Sequence, residues 1–391
     1  MSKIEEMLDQ MCPEGVEFKR IDGLVTISRG EQFNKRDMID GGEYPVLNGG
    51  VDFSGFTDSF NEDANTITIS QGGASAGYVN WVEKKFWAGA HCYIVKLIDD
   101  SILDKKYLFY YLKNVEKKLM ESKQGAGIPG LSRAKVYDLE VPVPPIEVQR
   151  EVVKVLDSFA ELIAALTAEL SARKKQYEFY RKNLLAFDPE DDTVEWPTVR
   201  LLFDMRNGYT PSKSNSSFWN NGTIPWFRME DIRENGRVLY NAIQSIHPSA
   251  VKRKGLFKAN SIILATSATI GEHALVKVDC LTNQRFTCLT PKASWQKKID
   301  IKYIYFYMFL VDDWCKAHIN QGNFAGVDMV AFSQLQIPIP TLTEQKKIVA
   351  ILEKLEALTT SLSEGLPAEI KARQKQYEYY RDQLLTFKRA N

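Results

Sequence analysis

The strongest constraint on this chain is a helix written twice. Residues 171–187 read SARKKQYEFYRKNLLAF, and residues 371–387 read KARQKQYEYYRDQLLTF. The likeness extends upstream, where Val143-Pro144-Pro145-Ile146-Glu147-Val148-Gln149 answers Ile339-Pro340-Thr341-Leu342-Thr343-Glu344-Gln345. The offset is 196 from Val143 to Ile339 and 200 from Tyr177 to Tyr377, so four residues, about one helical turn, separate the copies. A period this long predicts one unit built twice, a globular domain followed by a long helix.

Each long helix has a strict apolar seam. In the first copy Val152, Leu156, Phe159, Ile163, Leu166, Leu170, Arg173, Tyr177, Tyr180 and Leu184 alternate steps of four and three, the heptad of a coiled coil. The second runs Ile348, Leu352, Leu355, Thr359, Leu362, Leu366, Ile370, Arg373, Tyr377, Tyr380 and Leu384, with two successive steps of four that read as a stutter. Each seam needs a partner, and the other copy supplies one. Antiparallel pairing about a pseudo-twofold axis would place the two domains at opposite ends of a helix that, over residues 147–187, measures about 60 Å. Gly365 and Pro367 mark 363–368 as a bend. The tyrosines read first as seam packing, whereas Arg173 and Arg373 at seam positions read as register or docking residues.

The expected fold class is α+β, with two similar globular α/β domains held apart by an antiparallel two-helix coiled coil. Domain one covers 1–146, spacer helix one 147–188, domain two 189–340 and spacer helix two 341–391. The chain carries 50 basic and 50 acidic side chains, but unevenly. Residues 1–146 hold 17 basic against 22 acidic groups and residues 189–340 hold 17 against 14, so neither domain is a simple basic module. Five cysteines without a CxxC pair point away from zinc and, with no signal peptide, toward a reducing, cytoplasmic setting. No run is apolar enough to span a membrane.

Along the chain, residues 1–12 predict a short amphipathic helix. Residues 44–47, 65–70, 77–82, 91–97 and 136–141 predict strands, and 104–120 a helix capped by Asp104. The second domain repeats this order, with 260–265 standing for 65–70 and the 300–308 helix for its counterpart at 104. The loop at Gln321-Gly322 answers Gln124-Gly125, and 335–340 answers 139–144. The loops between these landmarks share little. A common framework with divergent loops suggests two versions of one binding task.

Catalytic patterns are missing. Gly72-Gly73-Ala74-Ser75-Ala76-Gly77 is followed by Tyr78 and not by the lysine of a phosphate loop. Glu83-Lys84-Lys85 lacks an upstream aspartate for a nuclease site, and the Asn-Pro-Pro-aromatic tetrapeptide of an amino-methyltransferase does not occur. His91, His247, His273 and His318 are scattered with no paired serine or carboxylate. What remains is binding chemistry. Ser70-Gln71-Gly72-Gly73 and Thr266-Ser267-Ala268-Thr269 combine hydrogen-bonding side chains with small residues, either as base- or phosphate-contacting turns or as plain strand connections. The basic clusters are duplex-backbone contacts or solvated faces. As duplex contacts the candidates are Arg29, Lys35, Arg36, Gln71, Lys84, Lys123, Arg133 and Lys135 in the first half. In the second they are Arg206, Lys213, Arg228, Lys252, Arg253, Lys254, Thr266, Ser267 and Arg285.

The stretches Pro142-Val143-Pro144-Pro145-Ile146-Glu147-Val148-Gln149 and Pro338-Ile339-Pro340-Thr341-Leu342-Thr343-Glu344-Gln345, each leading into a long helix with a Gln-Tyr-Glu-aromatic-Tyr-Arg box, resemble the specificity subunit of type I restriction-modification enzymes. The resemblance covers nearly the whole chain. It implies that each domain is a target recognition domain contacting one half of an asymmetric, bipartite site in double-stranded DNA, and that the helices set the gap and dock two modification subunits. It implies a chain that is not an enzyme and binds no cofactor or metal. Its partners would use S-adenosylmethionine for adenine methylation, and restriction subunits would use ATP and Mg2+. Carried onto this sequence, the partner contacts would be Arg173, Gln176, Tyr177, Tyr180, Arg181, Arg373, Gln376, Tyr377, Tyr380 and Arg381. The competing reading is a scaffold that binds proteins only, which a salt titration of DNA affinity would separate.

Overall fold

The protein is described by a computed structural model covering residues 3–123, 129–320, 325–360 and 365–390. It divides into two compact units, Met1–Ala168 with Ala368–Asn391, and Glu169–Pro367.

The first unit opens with helix α1 (Lys3–Met11) and strands β1 (Phe18–Arg20), β2 (Val25–Arg29), β3 (Tyr44–Leu47), β4 (Gly55–Thr57), β5 (Thr66–Ser70), β6 (Val79–Val82), β7 (Trp87–Ala88) and β8 (Cys92–Leu97). Helices α2 (Lys105–Asn114), α3 (Glu116–Glu121) and α4 (Arg133–Tyr137) follow, then β9 (Glu140–Pro142) and the long helix α5 (Ile146–Leu184). One sheet has the order β2-β8-β5-β6, all antiparallel; a second has β4-β3-β7, with β3 and β7 parallel; β1 pairs with β9. Strand β5 (TITIS) alternates hydroxyl and apolar side chains yet is buried along its whole length, with the Thr66 hydroxyl donating to the Asp63 carbonyl at 2.8 Å.

Two local expectations need correction. The helix expected over 104–120 starts where Asp104 accepts from the Lys106 and Tyr107 amides at 2.9 Å, but it is broken at Val115 into α2 and α3. The strand expected over 136–141 is half helix, because Ser132 caps α4 and draws Val136 into it; only β9 pairs as strand. The loops at Gln124-Gly125 and Gln321-Gly322 lie outside the described residues.

The second unit contains α6 (Val199–Leu202), β10 (Phe203–Asn207), β11 (Ile224–Phe227), α7 (Met229–Asn235), β12 (Val238–Leu239), β13 (Ser245–Ile246), β14 (Ser261–Ala265), β15 (His273–Val276), β16 (Leu281–Thr282), β17 (Phe286–Pro291), α8 (Ile301–Ala317), α9 (Met329–Gln334) and α10 (Leu342–Thr360). Helix α11 (Leu366–Leu384) belongs to the first unit from Ala368 on. The sheet β10-β17-β14-β15 has the neighbours of β2-β8-β5-β6, with β12 added in parallel at its edge, and β13-β11-β16 has those of β4-β3-β7. Ile67 faces Val95 and Ile262 faces Leu289, so the register is shared as well.

The starts of the two long helices are pinned identically. Gln149 is fully buried; its Oε1 accepts from the Asp104 amide at 2.8 Å, and its Nε2 donates to the Ile102 carbonyl at 2.9 Å and the Pro144 carbonyl at 2.7 Å. Gln345 repeats this with Asp300 at 2.8 Å, Lys298 at 2.9 Å and Pro340 at 2.8 Å. A tyrosine hydroxyl crosses each core to a proline carbonyl, Tyr107 to Pro142 at 3.1 Å and Tyr303 to Pro338 at 2.8 Å. All these side chains satisfy backbone groups that a buried helix start would otherwise leave unpaired.

Helix α5 has 39 residues, about 58 Å of helix. Its burial follows the predicted seam: Phe159, Ile163, Leu166, Leu170 and Arg173 are half-buried between exposed neighbours, and Val152, Leu156 and Tyr177 are buried. In the first unit α5 leaves at residue 168 as α11 enters at 368, so the two segments run antiparallel, and Phe159 stacks on Tyr380 at 5.4 Å. The second spacer is not one continuous stuttering helix. Gly365 at φ +81° precedes α11, which starts at Leu366 with Pro367 in its first turn, where its missing amide costs nothing. Seam position Leu362 lies outside the described residues.

Candidate nucleic-acid interface

In the first unit, three of the expected contacts converge. Arg29 ends β2, Gln71 follows β5 and Arg133 opens α4, and together with Ser122 and Ser132 they line a cleft of 450 Å³. Its floor is Tyr93, whose hydroxyl donates to the Leu131 carbonyl at 2.9 Å; the guanidinium groups of Arg29 and Arg133 each lie 5.9 Å from its ring centre. Lys123 reaches the Ala74 carbonyl at 3.4 Å, and Lys135 is exposed on α4. Lys35, Arg36 and Lys84 are exposed and do not line this cleft; Arg36 lies 3.6 Å from Asp37.

The second unit gathers a different set. Lys213, Arg228 and Arg285 line a cleft of 590 Å³ that Trp219 and Trp226 floor in an edge-to-face pair at 5.1 Å. Both indole N–H groups are committed, Trp219 to the Ser212 carbonyl and Trp226 to the Tyr209 carbonyl, each at 3.0 Å. The Arg228 guanidinium lies 5.6 Å from the Trp226 ring centre. Arg206 is spent differently: it donates to the carbonyls of Lys254 and Gly255 and packs 4.4 Å over Phe257, so it holds the turn that exposes Lys252, Arg253 and Lys254. The Lys252 ammonium sits 4.4 Å over Tyr209.

The two turns singled out in the sequence prove equivalent in backbone. The Gln71 amide donates to the His91 carbonyl at 2.8 Å and the Leu131 amide to the Gln71 carbonyl at 2.8 Å. Likewise the Thr266 amide donates to Arg285 and the Val327 amide to Thr266, both at 2.9 Å, and Ser267 bridges to Gly326. Sequence reasoning missed Asn283, Gln284 and Gln244 in the second cleft. Superposing the halves at an offset of 194 would have found the first two, because Asn283-Gln284-Arg285 then replaces Gly89-Ala90-His91.

The helical boxes divide into framework and surface. Arg173 bonds Glu169 at 2.7 Å and Gln176 at 2.7 Å, and Arg373 bonds Glu369 at 2.8 Å and Gln376 at 2.9 Å. Tyr177 is buried in the second unit's core with its hydroxyl unpartnered, and Arg181 packs 4.2 Å over Phe309. Tyr377 and Arg381 line a 710 Å³ groove of the first unit, where Arg381 donates to Asn114 at 3.0 Å. Tyr180 and Tyr380 are about two-fifths exposed. The residues before them, Phe179 and Tyr379, are each 61% exposed, the most open aromatics of both boxes, and were not among the sequence candidates.

No group of three or more His, Cys, Asp or Glu suited to a metal ion occurs among the described residues, and no described helix is long and apolar enough to cross a membrane.

Comparison with known proteins places this architecture. The family described as "Type I restriction modification DNA specificity domain" matches twice, over residues 13–173 and 193–372. The chain is 34% identical to the EcoR124I/EcoR124II specificity subunit of Escherichia coli over 413 aligned residues, covering 99% of this chain and 97% of that one. It is 52% identical to the EcoprrI specificity subunit of Escherichia coli over 202 residues, half of each chain. The S subunit of a type I restriction-modification system from M. genitalium shares the fold at a TM-score of 0.60 and 19% identity, over 95% of this chain and 96% of that one. The chain therefore belongs to the type I restriction-modification specificity subunits, the non-catalytic subunits that carry the DNA sequence specificity of these systems.

Proposed function

We propose that each unit reads one half of an asymmetric bipartite site in double-stranded DNA, that α5, α10 and α11 set the gap between the halves, and that two modification subunits dock on the two boxes. The observation that carries this reading is one framework built twice, down to Gln149 and Gln345, around clefts lined by unlike side chains. Amide and guanidinium groups over aromatic floors are the chemistry of base-edge readout. The chain holds no cofactor in this reading; the modification subunits bring S-adenosylmethionine, and restriction subunits bring ATP and Mg2+.

The repeated exposure of Phe179 and Tyr379 supports two copies of one partner, since a surface feature written twice in one chain serves the same protein twice. Modification subunits co-expressed with wild-type chain should purify as two per chain, with Phe179→Ala or Tyr379→Ala as one, and with the double variant as none. Two per chain in the double variant would remove the boxes as docking sites. Methylome sequencing with and without the chain tests the DNA reading directly.

A further inference from the structure

The turn between β16 and β17 is held by two backbone bonds and one side-chain bond. The Asn283 amide donates to the Phe227 carbonyl at 3.1 Å, the Arg285 amide to Asn283 Oδ1 at 3.0 Å, and the Arg285 carbonyl accepts from the Thr266 amide at 2.9 Å. The first unit holds its corresponding turn by the same anchors: the Gly89 amide donates to Leu47 at 2.9 Å, and the His91 carbonyl accepts from Gln71 at 2.8 Å. One scaffold thus presents Gly-Ala-His in one unit and Asn-Gln-Arg in the other. Its backbone is shared and its side chains are the variable part.

The Arg285 guanidinium and the Gln284 side-chain N–H groups are donors with no acceptor among the described residues. The Arg285 guanidinium is exposed and meets no carboxylate or carbonyl among the described residues, although carbonyls hold Arg206 and an aspartate takes Arg237. Gln284 receives the Thr210 hydroxyl on its Oε1 at 2.6 Å, which leaves its amide N–H groups directed elsewhere. Trp226 beneath them is buried and hydrogen-bonded, so the turn stands on a rigid floor. A fork of N–H donors needs a paired acceptor, and in the major groove guanine alone offers two side by side, O6 and N7.

We infer that Arg285 is the side chain by which the second unit reads a guanine of its half-site, with Gln284 as a neighbouring donor. The inference rests on the half-site reading above and narrows it to one residue and one base.

The test uses the chain assembled with its modification subunits and duplexes bearing its methylated motif. In the half that stays unchanged when residues 17–141 are exchanged, each guanine is replaced in turn by 7-deazaguanine, which lacks N7. Wild-type affinity should fall about tenfold at one position, and Arg285→Ala, already weaker on the native duplex, should show no further loss there. Arg285→Lys keeps the charge but not the fork, and should bind the native duplex more tightly than Arg285→Ala but more weakly than wild type. Lys213→Ala, as a phosphate-type control, should weaken all duplexes alike. Equal sensitivity in wild type and Arg285→Ala, or no sensitive guanine in that half, would overturn the assignment. Equal wild-type affinity for the motif and a scrambled duplex would overturn the half-site reading, and this inference with it.

Discussion

Where sheet meets helix, the two units set a carboxylate at the same point and neutralise it in different ways. In the first, Glu116 accepts from the Val79 amide at 2.8 Å and from the Lys113 ammonium at 2.6 Å, and Lys113 also reaches the Val79 carbonyl at 3.1 Å. In the second, Asp312 stands for Glu116 and His273 for Val79. The His273 ring bonds Asp312 through Nδ1 at 2.7 Å, and the His273 carbonyl accepts from Arg237 at 3.2 Å. Phe309 occupies the place of Lys113, so the cation comes from the segment before β12 instead of from the helix. The glycine before each site is shared: Gly77 at φ +95° and Gly271 at φ +94° bring the turn so near the helix that a Cβ would lie 2.7 Å from its backbone. The close approach is therefore fixed, and the charges are free to vary provided they balance. The same rule describes the clefts, whose anchors agree while their side chains do not.

The hardest test of the comparison exchanges the variable part whole. Replacing residues 17–141 by the matching domain of a relative should replace one half of the methylated motif and leave the other, as read by methylome sequencing. Joint change of both halves would mean that the units do not read independently.

A smaller effect separates the two charge sites. Asp312→Ala leaves the buried His273 Nδ1 without a partner, while Nε2 keeps the Tyr305 carbonyl at 3.1 Å, and leaves Arg237 without its carboxylate 3.7 Å away, at a cost of about 3 kcal/mol. Burial already pushes the His273 pKa down against the pull of Asp312, so the stranded ring would stay neutral without compensation. Glu116→Ala should cost about 1–2 kcal/mol, because Lys113 keeps the Val79 carbonyl and the Tyr78 ring, 3.8 Å away. Hydrogen exchange in β14 and β5 reads each unit separately. Equal losses would mean that the buried histidine adds no dependence on its partner.

Much of this was legible in the sequence for a physical reason: packing repeats leave periodic traces. The seam residues, the Asp104 cap and the paired glutamines at the helix starts follow from spacing and residue type, whereas the full burial of the alternating β5 does not. The Val115 break and the short α4 did not, because the first depends on a local backbone angle and the second on a single serine cap. Arg29, Gln71 and Arg133, picked from the sequence, line one cleft, but Arg206, picked with them, holds a turn. Net charge does not show whether a guanidinium has a carbonyl to bind. The heptad puts Tyr177 on the seam and Phe179 off it, and the burial of the one and the exposure of the other follow that phase. Arg285 stood among the candidates, but its freedom from partners is a property of the folded turn.

The smallest change concerns the helices. The second copy already differs from the first by one turn and places Gly365 at φ +81° just before α11, so the spacer tolerates a change of length. Between Leu166 and Leu170 the first copy is open, its seam half-buried and its other faces exposed. Four residues inserted there, with the 3/4 spacing kept, add about 6 Å of helix. Duplex DNA rises about 3.4 Å per base pair along each strand, so if the helices act as a ruler along the duplex the gap should lengthen by one or two base pairs while both half-motifs stay the same. An unchanged gap would leave both reading heads intact but take the ruler away from the helices. A changed half-motif would show instead that the helix phase, and not only its length, orients the head that reads it.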